Sequence, residues 1–366
     1  MSKVNKEPLL RIVKRPFIPV WKAVLFRAVG IILSLIFSAI LINLITDLNP
    51  IKVYTSMFNG AFGLELRTWN TIRDIMLLLC IAIGLAPAFK MKFWNIGAEG
   101  QILVGGIVSA ACMISIGDRL PTPLLLIVMA GVSAVAGAIW GLIPAIFKAK
   151  WNTNETLFTL MMNYVAIQLT SFMVDIWDKK GSHSVGVING VNNAGWFPSI
   201  GGKQYLLNVI IVLFLTVIMF IYLKKTKQGY EIAVVGESEN TARYAGISVK
   251  KVILRTMLIS GAICGIAGFI EVAGVSHTIS VNTAGGRGFT AIIVAWLAKF
   301  NTFTMLLISL LLIFLDKGAV QIASDFNLNE YASEMITGII LFFILGSEFF
   351  INYKVIFRHK HGEGNV

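Results

Sequence analysis

Charged residues are scarce in this 366-residue chain: Asp, Glu, Lys and Arg together make 14% of it, where soluble domains carry about a quarter. The shortage excludes a water-soluble fold. Hydrophobic residues make 56% of the chain and the mean hydropathy is +0.78, so the apolar excess must face lipid. No polar stretch is long enough to form a separate soluble domain. Histidine is limited to four residues, and none stands in an H-E-x-x-H pattern. A phosphate-binding G-x-x-x-x-G-K-[ST] loop and a G-x-S-x-G nucleophile elbow are also missing. The chain therefore reads as a non-enzyme with no catalytic residues, no cofactor and no metal. Any transport it performs must draw on an ion gradient or a separate ATPase. The cysteines are Cys80, Cys112 and Cys264, all inside apolar runs. A thiol there serves as a small buried hydrophobe, and no disulfide is expected. Acidic residues number 19 against 31 basic ones, a net charge of +12. Nucleic acid is excluded as a partner, because the basic residues flank apolar runs and form no continuous face. Positive charge beside membrane spans is retained on the cytoplasmic side.

What is abundant is apolar length. Runs at about 24–45, 71–88, 101–117, 122–147, 155–176, 206–223, 254–275, 289–299, 302–320 and 331–351 are predicted as membrane-crossing helices, most of them near the roughly 20 residues a crossing needs. The first is longer than a signal-peptide core and is read as a retained span. The fold class that follows is an all-α polytopic membrane protein with about ten transmembrane helices. Its parts are a basic N-terminal tail (1–23), a transmembrane domain (24–351) and a C-terminal tail (352–366). The three basic regions are the first tail, the 224–253 segment and the last tail. If all are cytoplasmic, six crossings separate the first pair and four the second, both even as they must be. Both termini are then cytoplasmic in a cell membrane, and the Gly-, Asn- and Ser-rich 177–205 segment lies outside.

Within 224–253, Asn240 to Ala245 can form a short helix, with Glu239 and Arg243 paired at i,i+4 and Gly246 as its end. The two halves share a hydropathy pattern: two spans, a Gly-rich break with a short apolar run, then two more. They start on opposite sides, which predicts a 5+5 inverted repeat with discontinuous helices, a transporter arrangement. The breaks are Lys90 to Gln101 and Asn282 to Phe289. Backbone without helical hydrogen bonds cannot face lipid, so each break is either an ordinary loop or the wall of an enclosed cavity. Polar residues inside spans need similar weighing. Asn163 is either a pathway group or a helix–helix hydrogen bond. Glu271 either marks a pathway or reaches interfacial water. Arg73 and Asp74 are adjacent, so on a helix they are not expected to face one another, and the outer interface is their expected place.

Phe93-Trp94-Asn95-Ile96-Gly97-Ala98-Glu99-Gly100-Gln101 resembles the F-N-I-G-A-E-G-Q signature of permease subunits from ABC importers of nucleosides and simple sugars, with Trp94 inserted. Asn154-Glu155-Thr156-Leu157 through Asn163-Tyr164 is similar to the N-E-(V/T)-x-x-T-L-M-x-N-Y pattern of that family. Thr226-Lys227-Gln228-Gly229 through Ala242-Arg243-Tyr244-Ala245-Gly246-Ile247 resembles its T-x-x-G … A-x-x-x-G-I loop, and Gly286-Arg287-Gly288-Phe289-Thr290-Ala291-Ile292 its G-x-G-F-x-x-I segment. The resemblance implies a membrane-spanning permease subunit of an ATP-driven importer, with nucleosides favoured over simple sugars. Implied partners are an ABC ATPase subunit, a second permease subunit (identical or homologous) and an extracytoplasmic substrate-binding protein. An ion-coupled secondary transporter and an export or scaffold subunit are the other classes. Candidate pathway residues are Asn95, Glu99, Asn163 and Phe289, which either meet the solute or stabilise the broken helices. Glu239, Arg243 and Gly246 are the candidates for the ATPase contact.

Overall fold

The computed structural model describes residues 10–15, 19–46, 49–178, 181 and 184–327, and beyond these 335, 338–339, 342–343, 346–347, 349–351 and 353–357. The chain divides into two units, Glu65–Ile313 and the flanking Met1–Leu64 with Phe314–Val366.

The larger unit is helical: α3 (Glu65–Lys90), α4 (Ala98–Ile116), α5 (Thr122–Trp151), α6 (Glu155–Trp177), α7 (Leu206–Lys225), α8 (Lys227–Glu237), α9 (Glu239–Tyr244), α10 (Val249–Glu271), α11 (Arg287–Leu297) and the start of α12 (Thr302–Asp325). Local chemistry sets several ends. Asn154 caps α6, its side chain accepting from the Leu157 amide at 3.2 Å, and a carboxylate follows at Glu155 where the helix dipole favours it. Lys148 pairs with that carboxylate at 3.0 Å across the α5–α6 turn. Pro87 stands inside the last turn of α3, where its ring removes the helical bond to the Ile83 carbonyl, and the helix ends at Lys90.

Helix α3 forms the centre. In its most apolar stretch 89% of the residues are buried, against 22% for α5 and 28% for α6 and α7. The outward residues of those three, among them Ile127, Ile139, Phe172 and Phe214, form the faces a bilayer would cover. Helices α5 and α10 cross at their glycines. A methyl group on Gly137 would overlap the Gly261 backbone, and one on Gly261 the Gly137 backbone. Gly137 and Gly141, like Gly261 and Gly265, are spaced as small-xxx-small pairs, and close backbone approach is what such pairs provide in membranes.

In the smaller unit, α1 (Val20–Thr46) is followed by α2 (Pro50–Phe62). Asn49 caps α2 by accepting from the Ile51 amide at 2.9 Å, and Val53, Ser56, Met57 and Ala61 form its buried face. A departure from an all-helical chain is a two-stranded antiparallel sheet of β1 (Leu10–Lys14) and β2 (Tyr353–Phe357), with Leu10 opposite Phe357 and Lys14 opposite Tyr353.

The chain is thus a multi-pass, mainly helical membrane protein. Among the described residues seven helices are long and apolar enough to cross: α3 to α7, α10 with the turn after it, and α12. The short predicted run at 101–117 is one of these, the 19-residue α4. The run at 289–299 is the 11-residue α11. The run at 331–351 falls partly outside the described residues.

Candidate functional site

The first break spans residues 91–97. Lys92 takes a left-handed conformation (φ 61°), and the Phe93 amide folds back onto the Ala88 carbonyl at 3.0 Å. Asn95 is fully buried. Its Oδ1 accepts from the Gly97 amide (3.0 Å) and from Gln101 Nε2 (3.4 Å), and its Nδ2 donates to Ser260 Oγ (3.3 Å). Asn163, on α6, clamps the same segment. It donates to the Ile96 carbonyl and accepts from the Gly100 amide, both at 2.9 Å. Thr159 adds a third bond, its Oγ1 accepting from the Ile96 amide at 3.1 Å. The Ile96 and Gly100 backbone groups that Asn163 and Thr159 clamp are among those a break leaves without helical partners.

The second break follows α10. That helix widens into a π turn over Val272–Ser276 and then reverses at His277 (φ 53°). Irregular chain runs to Gly286, where α11 begins. Glu271 does not reach interfacial water. It is buried, and Arg287 of the second break meets it at 3.2 Å. Arg73 and Asp74 also depart from expectation: Arg73 Nε lies 2.9 Å from Asp74 Oδ1 and Nη1 donates to the Tyr205 hydroxyl at 3.3 Å. The long guanidinium arm bends back to a neighbour whose Cα–Cβ bond points elsewhere. Charges withdrawn from water persist only when paired.

The two breaks meet. Glu99, in the first turn of α4, accepts from the Gly288 amide in the first turn of α11 at 2.6 Å. A carboxylate here serves an orphan amide and the positive end of a helix dipole together. At the other end of α11, Trp296 stacks on Trp94 of the first break at 5.3 Å, with Phe89 of α3 edge-on to both. Eleven residues make α11 about 16 Å long, half the roughly 30 Å of a hydrocarbon core. Its first turn meets α4 through Glu99 and α10 through Glu271, and its last turn meets the end of α3 through Phe89. Phe289 is on its exposed side. Of the four candidate pathway residues, Asn95, Glu99 and Asn163 are thus buried in the joint between breaks, and Phe289 faces outward from it. Thr159, Arg287 and Trp296 were not singled out from sequence, and Trp94 was noted only as an insertion, although Thr159 lies one turn before Asn163 on the same helix.

The 226–248 segment holds two helices where one was expected. Helix α9 carries the Glu239–Arg243 pair at 3.4 Å, both side chains exposed, with Ser238 capping it by accepting from the Thr241 amide. Gly246 (φ 74°) ends it. Its amide donates to the Arg243 carbonyl and that of Ile247 to the Ala242 carbonyl, the paired bonds of a Schellman end. Helix α8 packs on the end of α3. A methyl group on Gly236 would overlap the Lys90 carbonyl oxygen, so α8 touches the chain where the first break begins. Lys90 Nζ donates to the Leu223 carbonyl at 3.2 Å, and Arg255 pairs with Glu231 at 2.9 Å.

The 184–205 loop docks on the π turn. His277 stacks flat on Trp196 with ring centroids 3.7 Å apart. The Ile188 amide donates to the His277 carbonyl and the Phe197 amide to that of Ala273. Burial holds the His277 imidazole below its ordinary range, against the opposing pull of the Val272 and Ala273 carbonyls.

Two breaks joined inside a helical membrane unit do not by themselves name a function, and comparison with known families supplies the class. Residues 67–345, covering both breaks, match the family described as branched-chain amino acid transport system / permease component. The chain belongs to this permease family. As a transport permease it is not an enzyme. It is 32% identical over 327 residues to the guanosine ABC transporter permease protein NupP of Bacillus subtilis, covering 87% of this chain and 92% of that protein. Identity to the glucose ABC transporter permease protein TsgB13 of Haloferax volcanii is 30% over 84% of each chain. Identity to the nucleoside ABC transporter permease protein NupB of Lactococcus lactis is 29%, over 88% of this permease and 91% of the relative. No solved structure matches the chain.

Proposed function

We propose that this permease is the membrane-spanning subunit of an ATP-driven importer of nucleosides. The observation that carries the reading is its near full-length likeness to relatives named for guanosine and for nucleosides. The likeness to a glucose permease favours a simple sugar as the second reading. The partners are a separate ABC ATPase subunit, a second permease subunit and an extracytoplasmic substrate-binding protein.

The arrangement comprises ten crossings in a 5+5 inverted repeat, with both tails and the 224–253 loop cytoplasmic. The order α3–break–α4 in one half and α10–break–α11 in the other supports it. The solute route follows the joint between breaks. Phe289 offers an aromatic face to it, while Asn95, Glu99 and Asn163 shape it by holding the interrupted backbone. Glu239 and Arg243, with Gly246 ending their helix, present α9 to the ATPase, and Tyr244 beside them is 93% exposed. Movement of α8 and α9 reaches the first break through the Gly236–Lys90 contact. ATP closure of the ATPase then rocks α4 against α11.

The test is reconstitution in proteoliposomes with an ABC ATPase subunit, a second permease subunit and a substrate-binding protein from the same organism. Guanosine uptake that needs ATP supports the reading. Uptake driven by a sodium or proton gradient without the ATPase refutes it, and ATP-dependent uptake of glucose but not guanosine selects the second reading. Arg243→Ala should lower transport-coupled ATP hydrolysis, and full coupling in that variant would remove α9 from the contact.

A further inference from the structure

Four apolar side chains of the larger unit form a stripe exposed along its length: Phe289 (46%), Ile293 (45%) and Trp296 (44%) on α11, and Trp94 (44%) stacked on Trp296. At about 100° per residue, positions 286, 289, 293 and 296 share one face of the helix. The face begins at bare backbone. Gly285 and Gly286 are exposed, and nothing lies within 4 Å of where a Gly286 side chain would point. These peptide groups belong to the break between α10 and α11, and non-helical backbone within a bilayer cannot face hydrocarbon, so the stripe starts from chain that must front water or protein. Three of its four side chains are aromatic, a larger share than on the outward faces of α5, α6 and α7, where Ile, Val and Leu predominate over Phe147, Trp151, Tyr164, Phe172 and Phe214. Phe89, almost fully buried, braces both indoles edge-on at 5.9 Å and 6.1 Å and holds their stacked geometry.

From this geometry we infer that the stripe is a stacking wall for a planar heteroaromatic ring, with the Trp94–Trp296 pair as its last station before the end of α3. The inference rests on the nucleoside reading and adds where the base travels. Stacking suits a passing solute, because every base has a π face and no fixed hydrogen-bond pattern must be broken to move on.

The experiment uses the full complex, in proteoliposomes for uptake and in nanodiscs for fluorescence. Base–aromatic stacking is worth about 1–3 kcal/mol per base, so Trp94→Leu and Trp296→Leu should each raise the apparent KM for guanosine roughly tenfold. Trp94→Phe should stay within a few-fold of wild type, and Phe172→Leu, on an outward face of α6, should change nothing. Indole fluorescence that Trp94→Phe and Trp296→Phe remove should be quenched by 8-bromoguanosine. These readouts keep the test valid if a leucine variant folds poorly. Unchanged KM in well-folded leucine variants overturns the inference. So does quenching by brominated phosphatidylcholine but not by 8-bromoguanosine, which would make the pair an interfacial belt. Disulfide formation between two copies of Trp94→Cys would assign the stripe to a permease–permease contact and also overturn it. Absence of guanosine uptake by the wild-type complex refutes the nucleoside reading itself, a separate outcome.

Discussion

Removing the Asn163 side chain should weaken the fold and leave the solute's apparent affinity alone. Asn163 is buried and makes two hydrogen bonds of 2.9 Å, one to the Ile96 carbonyl and one from the Gly100 amide. Gly100 is among the first residues of α4, whose amides have no intrahelical acceptor. In membrane interiors side-chain hydrogen bonds average about 0.6 kcal/mol, while a buried group left without a partner costs about 1–3 kcal/mol. Asn163→Ala should then cost about 1 kcal/mol if water fills the vacated space, and about 2–6 kcal/mol if the Ile96 carbonyl and the Gly100 amide both stay unpaired. Asn163→Asp should be worse than its near-identical shape suggests, because it keeps the acceptor for Gly100 but sets a carboxylate against the Ile96 carbonyl. Reversible unfolding of the purified chain in mixed micelles, followed by circular dichroism, gives the stability change. Uptake in proteoliposomes gives KM and maximal rate separately. The expected pattern is a lower midpoint and a lower rate with KM unmoved. A stability loss under about 0.5 kcal/mol together with a raised KM would refute the clamp and place Asn163 against the solute.

Glu99→Gln keeps an acceptor for the Gly288 amide and should be milder than Glu99→Ala, which strands that amide at a cost of about 1–3 kcal/mol. Hydrogen exchange at residues 286–290 should rise in the alanine variant alone. Gly236→Ala places a methyl group against the Lys90 carbonyl, an overpacking that costs about 1–3 kcal/mol. It should lower the solute carried per ATP hydrolysed more than it lowers hydrolysis. His277 has a folded pKa below its ordinary 6.5, so the unfolded chain binds the proton more readily. Its contribution to stability is present above that value and is lost as pH falls through 6.5 toward the lower folded pKa. Proteolysis of the 184–205 loop should accelerate below pH 6.5, and His277→Phe should flatten that dependence.

What was legible in the sequence follows from how local each feature is. The α9 helix could be read because i,i+4 pairing at Glu239 and Arg243 and a left-handed end at Gly246 involve near neighbours only. The larger crossings could be read because apolar length alone identifies them. Helix α8 escaped notice because Gly229 and Gly236 lower its helical propensity, and its place is set by packing on α3. Two readings of Glu99 stood open because its partner, Gly288, is 189 residues away, and nothing in one chain segment reveals a contact at that separation. The Arg73–Asp74 pair was misjudged because backbone directions on a helix say little about a side chain as long as arginine. The nucleoside assignment came from motif resemblance, with no contribution from composition or spacing.

That same separation has a consequence for how the protein is made. Contacts distant in sequence cost loop-closure entropy before they return any stability, and the Glu99–Gly288 bond can form only after α5 to α10 have been synthesised. The first break is clamped early, since Asn163 and Thr159 follow it by fewer than about 70 residues. The second must find its seat in a scaffold already assembled. The joint between breaks is therefore the last part of the larger unit to mature, and substitutions there should trap chains that are inserted and mostly folded but not yet closed.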